Sequence, residues 1–335
     1  MDCPSDIQQK EVNLPHAGKV KVFVQGNLEN KQGKTFFLTC HDMGSNHKCW
    51  FPFIMHHSMT EVRLRSVFLH VCVPGQEDNA GNLPADYNFP LLDELGQDFA
   101  TVLDYFGVKT MIGIGDGAGA NIITRFAIHH PNRVMGIILC HCTSTTAGVW
   151  EYISHKMINR KLSTIGMNQG LYDYLVDHKF GVKSESEQQI YKSQDKNMDV
   201  IQKYVDNLKN TINPQNLAKF FDAFLKRTDM SQNLATSLKV EALLVSGANA
   251  SHLHTLKTMH ASMNKSGSSL LIVDGVANVI VESPQSLARA LILFCKGCGV
   301  LSGVGIPGMT KQRTLSGSME EADRPLNRSL PKENK

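Results

Sequence analysis

The sequence predicts an α/β protein: a mostly parallel sheet with helices on both faces and a helical cap insertion. Three observations predict it. Short apolar runs of β type alternate with stretches of helical period along most of the chain. Some runs are continuous rather than alternating, as in Gly136-Ile137-Ile138-Leu139-Cys140, the pattern of strands covered on both faces. From about 147 to 231 the rhythm stops, and only helical spacing remains.

In chain order, residues 1–18 are expected to be a flexible N-terminus, followed by one domain over 19–299. Strands are expected at 19–25, 34–40, 66–73, 109–114, 134–141, 239–246 and 269–274. Helices are expected at 91–106, 118–130, 251–264 and 283–295, the last opened by Ser283 as N-cap and Pro284 at the first helical position. Within the cap, 147–231, Ile201, Tyr204, Val205, Leu208 and Ile212 recur at helical spacing. Asn213-Pro214 restarts a helix that carries Leu217, Phe220, Phe221, Phe224 and Leu225. These stripes are expected to pack on the C-terminal edge of the sheet. Beyond 299, glycine, serine and charged residues dominate, so 300–335 is expected to be a disordered tail.

Composition narrows the function classes. Against 34 basic residues stand 31 acidic ones, and a formal charge of +3 on 335 residues offers no broad phosphate-binding face, so nucleic acid is not an expected partner. The eight cysteines are spread over the length rather than framed in a short scaffold. Cys40, Cys72, Cys140 and Cys142 lie in or beside apolar runs, where a free thiol acts as a small hydrophobe. That usage suits a reducing compartment. No signal-like N-terminus is present and no apolar run approaches ~18 residues. A cytoplasmic location is expected.

The segment 109–121 carries the most information: a strand runs into Gly113-Ile114-Gly115-Asp116-Gly117-Ala118-Gly119, and a helix follows. As a dinucleotide fingerprint, Gly113-x-Gly115-x-x-Ala118 requires an acid ~20 residues on. The next strand instead ends Cys140-His141-Cys142-Thr143-Ser144, and the first acid after it is Glu151. As a nucleophile elbow, G-x-S-x-G, the frame Gly115-Asp116-Gly117-Ala118-Gly119 fits well, but the nucleophile slot is Gly117. Making Asp116 the nucleophile moves branched Ile114 into a position that needs a small residue. The acid and histidine of a hydrolase would follow the two last strands. Those loops read Gly247-Ala248-Asn249-Ala250-Ser251 and Asp274-Gly275-Val276-Ala277-Asn278-Val279. A hydrolase scaffold without an assembled triad is the reading that results. After the second expected strand of the parallel set, His41-Asp42-Met43-Gly44 sits where a hydrolase places its oxyanion loop.

These residues resemble the N-myc downstream-regulated (NDRG) family. The matching segments are His41-Asp42-Met43-Gly44-Ser45-Asn46-His47-Lys48, His70-Val71-Cys72-Val73-Pro74-Gly75-Gln76 and 112–128, within a match from about Val20 to Gly299. The resemblance implies an α/β-hydrolase-like fold that lacks catalytic residues. It also implies roles in signalling, stress response, growth control and differentiation through protein partners. Cys72 stands where such sequences often carry an acid, and the tail lacks the long repeats of some members. Basophilic kinase sites in the family's tails make Ser316, three residues after Arg313, and Ser329, after Arg328, phosphorylation candidates.

The remaining features have plainer readings. His41, His47, His56, His57 and the run Cys140-His141-Cys142 form no four-ligand zinc pattern, though Cys140 and Cys142 are expected to point together and His141 away. Cys295-x-x-Cys298 has no second pair. No cofactor and no metal are expected. Lys156, Arg160 and Lys161 on the cap offer a place for an acidic lipid or partner, and the cap groove one for a small ligand. The alternative to a non-catalytic signalling or adaptor protein is a residual hydrolase with Asp116 as nucleophile and His252 or His254 as base.

Overall fold

A computed structural model describes residues 7–146, 156, 160, 162–181 and 195–308. Eight strands form one sheet in the order β1-β2-β4-β3-β5-β6-β7-β8. They are β1 (Ile7–Leu14), β2 (Gly18–Gln25), β3 (Thr35–Cys40), β4 (Ser66–Val71), β5 (Met111–Asp116), β6 (Val134–Cys140), β7 (Glu241–Gly247) and β8 (Ser268–Val273). β1 and β2 pair antiparallel, as do β2 and β4, and every other pair is parallel. The main helices are α1 (Leu92–Tyr105), α2 (Ala118–His129), α3 (Gln169–Phe180), α4 (Asp195–Asn210), α5 (Pro214–Leu225), α6 (Leu253–Ala261) and α7 (Pro284–Gly297).

Strand period places alternate side chains on opposite faces, and two apolar clusters result. Ile137 and Leu139 enter one, with Phe99 and Val102 of α1 and Ile123 and Phe126 of α2. Ile138 and Cys140 enter the other, with Leu287 and Leu291 of α7 and Phe53, Ile54 and Met59 of the short helical turns before β4. All six residues of each of β3, β4 and β5 are buried. The cap joins the first cluster through Leu171, Leu175, Leu208, Leu217, Phe220 and Phe221, at the end of the sheet where β3 and β5 finish. Asn213 caps α5 by accepting from the amides of Gln215 and Asn216, with Pro214 in the first turn.

Two expectations are corrected. The segment 1–18 is not flexible throughout: Ile7–Leu14 is a strand in full register with β2, with Val12 and Leu14 buried. A polar strand at a sheet edge buries few side chains, so its apolar signal is weak. The tail does not leave the fold at 300: Leu301 and Val304 are buried in the second cluster, and the amide of Val300 donates to the Cys295 carbonyl. Residues 309–335, with Ser316 and Ser329, lie outside the described residues.

The β1–β2 turn is tied to α1 by one fully buried carboxylate. Asp98 accepts from the amides of His16 and Ala17 and contacts the His16 ring at 2.7 Å. Asp98→Ala leaves the buried Ala17 amide without this acceptor. It should cost about 2–3 kcal/mol in urea unfolding, with Asp98→Asn recovering part of the loss.

Candidate functional site

The elbow forms as its glycine frame requires. β5 ends at Asp116, the chain turns at Gly117 with φ 52° and ψ −115°, and α2 starts at Ala118. A side chain at Gly117 would be strained by this backbone. The turn also brings α2 close to β3 and β5. A Cβ on Gly115 would lie 2.3 Å from the Ala120 Cα, and one on Gly119 would lie 2.2 Å from the Cys40 carbonyl oxygen. Gly113 and Gly115 therefore belong to a strand packed under a helix rather than to a phosphate-cradling loop.

A carboxylate occupies the space beside Gly117. A Cβ there would fall 2.2 Å from Oδ1 of Asp42. Oδ1 accepts from the amides of Met43 and Ala118, each at 2.8 Å. Those two donors, one from the loop after β3 and one from the residue after the elbow apex, are the pair that forms an oxyanion hole in the hydrolase arrangement. Oδ2 accepts from Nε2 of His178 at 2.8 Å. The segment His41-Asp42-Met43-Gly44 follows β3, and its Met43 amide binds a carboxylate from its own sequence. His41 beside it is fully buried, donating from Nδ1 to the Asp42 carbonyl and accepting the Val73 amide on Nε2. Gly44 makes its left-handed turn (φ 65°) against Tyr204 and Leu175 of the cap.

The cations come from the end of α3, which sequence reasoning did not single out. His178 and Lys179 lie in its last turn, where the helix dipole favours positive charge, and Gly181 closes it in the left-handed region. Lys179, 8% exposed, reaches the 2%-exposed carboxylate of Asp116 at 3.3 Å. Asp116 also bonds Nδ1 of His141 at 2.8 Å, while His141 Nε2 faces the Ala277 carbonyl. Burial alone would raise the pKa of Asp116, but Lys179 and His141 outweigh it and hold the carboxyl well below its usual range. Burial likewise opposes the charge on Lys179, which Asp116 keeps above its ordinary value. Asp42 and His178 follow the same logic, burial being outweighed by their mutual attraction, so Asp42 is lowered and His178 raised.

The loops after β7 and β8 seat the same segment. Ser251 Oγ donates to the Asp177 carbonyl, Asn278 Nδ2 donates to the Lys179 carbonyl, and Gly181 passes so near the Asn249 carbonyl that a Cβ would meet it at 2.2 Å. Under the cap a cavity of about 30 Å³ remains, lined by Gly117, His141, His178, Arg227 and His252 among others.

Several expectations change. Asp116 is not at the elbow apex, and its partners are His141 and Lys179 rather than His252 or His254. Its carboxylate is engaged on both oxygens. Cys140 and Cys142 do not point together: they enter opposite clusters, because His141 turns the chain with φ 51° and ends the strand alternation. Of the cap basic residues, Lys156 and Arg160 are exposed, and Lys161 lies outside the described residues. Among the described residues, no group of three or more His, Cys, Asp or Glu side chains is arranged to hold a metal ion. No helix among them is long and apolar enough to cross a membrane.

Comparison with known proteins agrees with this architecture. The family model described as the Ndr family matches residues 10–302. The chain belongs to the Ndr family. An uncharacterised protein of Caenorhabditis elegans is 53% identical to this Ndr protein over 326 residues, covering 97% of this chain and 95% of that one. Protein NDRG2 of Mus musculus is 28% identical over 313 residues, covering 92% and 79%. Among solved structures, a thermophilic esterase from Thermogutta terrifontis superposes with a TM-score of 0.69 at 14% identity, over 87% of this chain and 99% of that one. The Ndr chain thus has the α/β-hydrolase fold.

Two predictions follow from the geometry. Gly117→Ala places a methyl group on the Asp42 carboxylate in a backbone that disfavours it, and should cost about 3 kcal/mol or more by chemical denaturation. The second concerns pH. Burial is the leading cause that lowers three rings of this Ndr protein, His41 to about 4 and His47 and His70 to about 3. They stay neutral in the fold while the unfolded chain takes up protons near pH 6.5. Their contribution is complete above 6.5 and is lost as pH falls toward 4, by ~4 kcal/mol per pH unit for the three together. His178 acts oppositely, its contribution being complete below 6.5 and lost as pH rises through its raised pKa. Urea unfolding from pH 7.5 to 4.5 should show a steep acid-side loss, and a flat profile would mean that the three rings take up protons in the fold as readily as in the unfolded chain.

Proposed function

We propose that this Ndr protein is a non-catalytic signalling or adaptor protein that uses a hydrolase scaffold to present surfaces to protein partners. One observation supports the reading above others. At the elbow apex, Gly117 supplies no nucleophile, and the carboxylate of Asp42 fills both the adjacent space and the two oxyanion donors. Acyl transfer needs a nucleophile, a base and free donors for the developing oxyanion. The nucleophile slot is empty of chemistry, and the donors are engaged. The loops that carry acid and base in a hydrolase serve here to seat residues 177–181.

Stress response, growth control and differentiation are the settings the family relation suggests for such a protein, acting in the cytoplasm. A groove of about 710 Å³ between the 87–94 segment and α5 offers a binding surface. Tyr87, Phe89 and Leu91 line it beside Lys219, Asp222 and Lys226, a mix suited to a peptide or a small amphipathic ligand. Modification of Ser316 or Ser329 would reduce the positive charge of the tail and modulate partner binding.

Purified protein should give no turnover with short-chain ester substrates and no labelling by a fluorophosphonate probe. Turnover that survives purification and disappears in Asp116→Asn would establish the alternative, a residual hydrolase. Affinity capture from stressed and unstressed cells should recover the same protein partners with wild type and with Asp42→Asn. It should recover fewer with Leu91→Glu/Lys219→Glu in the groove.

A further inference from the structure

We propose that the oxyanion hole of this protein is an intact carboxylate-binding site, filled by the chain's own Asp42. Once the Asp42 carboxyl is removed, the site takes a small carboxylate from solution. Three donors from three separate elements converge on it. The Met43 amide comes from the loop after β3, the Ala118 amide from the first turn of α2, and Nε2 of His178 from the end of α3. The two amides share one oxygen at 2.8 Å each, and the imidazole takes the other at 2.8 Å, so both oxygens of a single carboxylate are satisfied. Ala118 opens a twelve-residue helix, whose dipole adds to the attraction for negative charge.

The pocket is enclosed. The Asp42 side chain is 5% exposed and that of His178 is 13% exposed. Gly117 leaves no side chain to compete for the space. Tethering gives Asp42 a high effective concentration at these donors, and this excludes carboxylates from solution in the native chain. The hole is therefore occupied rather than lost. Asp42→Ala keeps the Cβ and opens a space the size of a carboxylate group, and formate is the ion that replaces what was removed.

The test compares wild type, Asp42→Ala and Asp42→Asn during thermal unfolding in rising formate, with chloride holding ionic strength constant. Asp42→Ala should unfold about 5 °C or more below wild type. Formate should restore a substantial part of that shift with a saturable dependence, while bulky pivalate should not. Wild type and Asp42→Asn, whose pockets are filled, should respond to formate no more than to chloride. In Asp42→Ala the His178 imidazole should titrate at lower pH by NMR, and formate should move it back up. Formate acting no better than chloride on Asp42→Ala overturns the proposal, as does an equal response in all three proteins. Should Asp42→Ala not accumulate in folded form, refolding with formate but not with chloride supports the site, and failure in both overturns it.

Discussion

Two buried ion pairs at the C-terminal edge of the sheet hold the cap to the rest of the molecule. Asp42 and Asp116 lie at the ends of β3 and β5, and His178 and Lys179 come from consecutive positions on α3. Neither carboxylate could remain charged in so enclosed a place without its cation, and neither cation without its carboxylate. The apolar stripes of α3 and α5 supply area, and the charge pairs add a geometric demand at the end of α3. The desolvation cost is offset only in one geometry, whereas apolar contacts tolerate sliding.

The edge of the sheet keeps the backbone of the α/β-hydrolase fold, and its buried charged side chains pair with the end of α3. The turn at Gly117, the loop at 41–44 and the loops after β7 and β8 keep the positions that a catalytic centre uses. The loop at 41–44 and the loops after β7 and β8 each contact the cap. Ser251 and Asn278 bond the backbone of residues 177–179, and Asp42 fills the donors of the oxyanion loop. The cavity that remains is only about 30 Å³. The larger groove lies between α5 and the start of α1, and none of the four paired residues lines it.

Much of this was legible in the chain. The central strands were found within two or three residues, because buried parallel strands write continuous apolar runs. The glycine frame at 115–119 announced a tight strand-to-helix turn, since close backbone approach admits few other residues. β1 was not legible, because Gln8, Gln9, Lys10 and Glu11 at a sheet edge carry no such signal. Nor was the role of His178 and Lys179, which are 136 and 63 residues from their partners in sequence. One clue was available. An aspartate at the end of a central strand is buried almost by topology, so Asp116 demanded a cation, and basic residues in the cap were the place to look. The side-chain directions of Cys140 and Cys142 failed for a local reason, a left-handed residue at His141 that no motif marks.

The contact between Gly117 and Asp42 makes a side chain at position 117 hard to introduce. A serine at 117 collides with the Asp42 carboxylate, so Asp42 must go first. Removing Asp42 first strips His178 of its buried partner, so that order carries a cost as well. Neither single step is tolerated readily, and only the paired change preserves the packing. The two positions are sterically coupled, so a change at one is felt at the other.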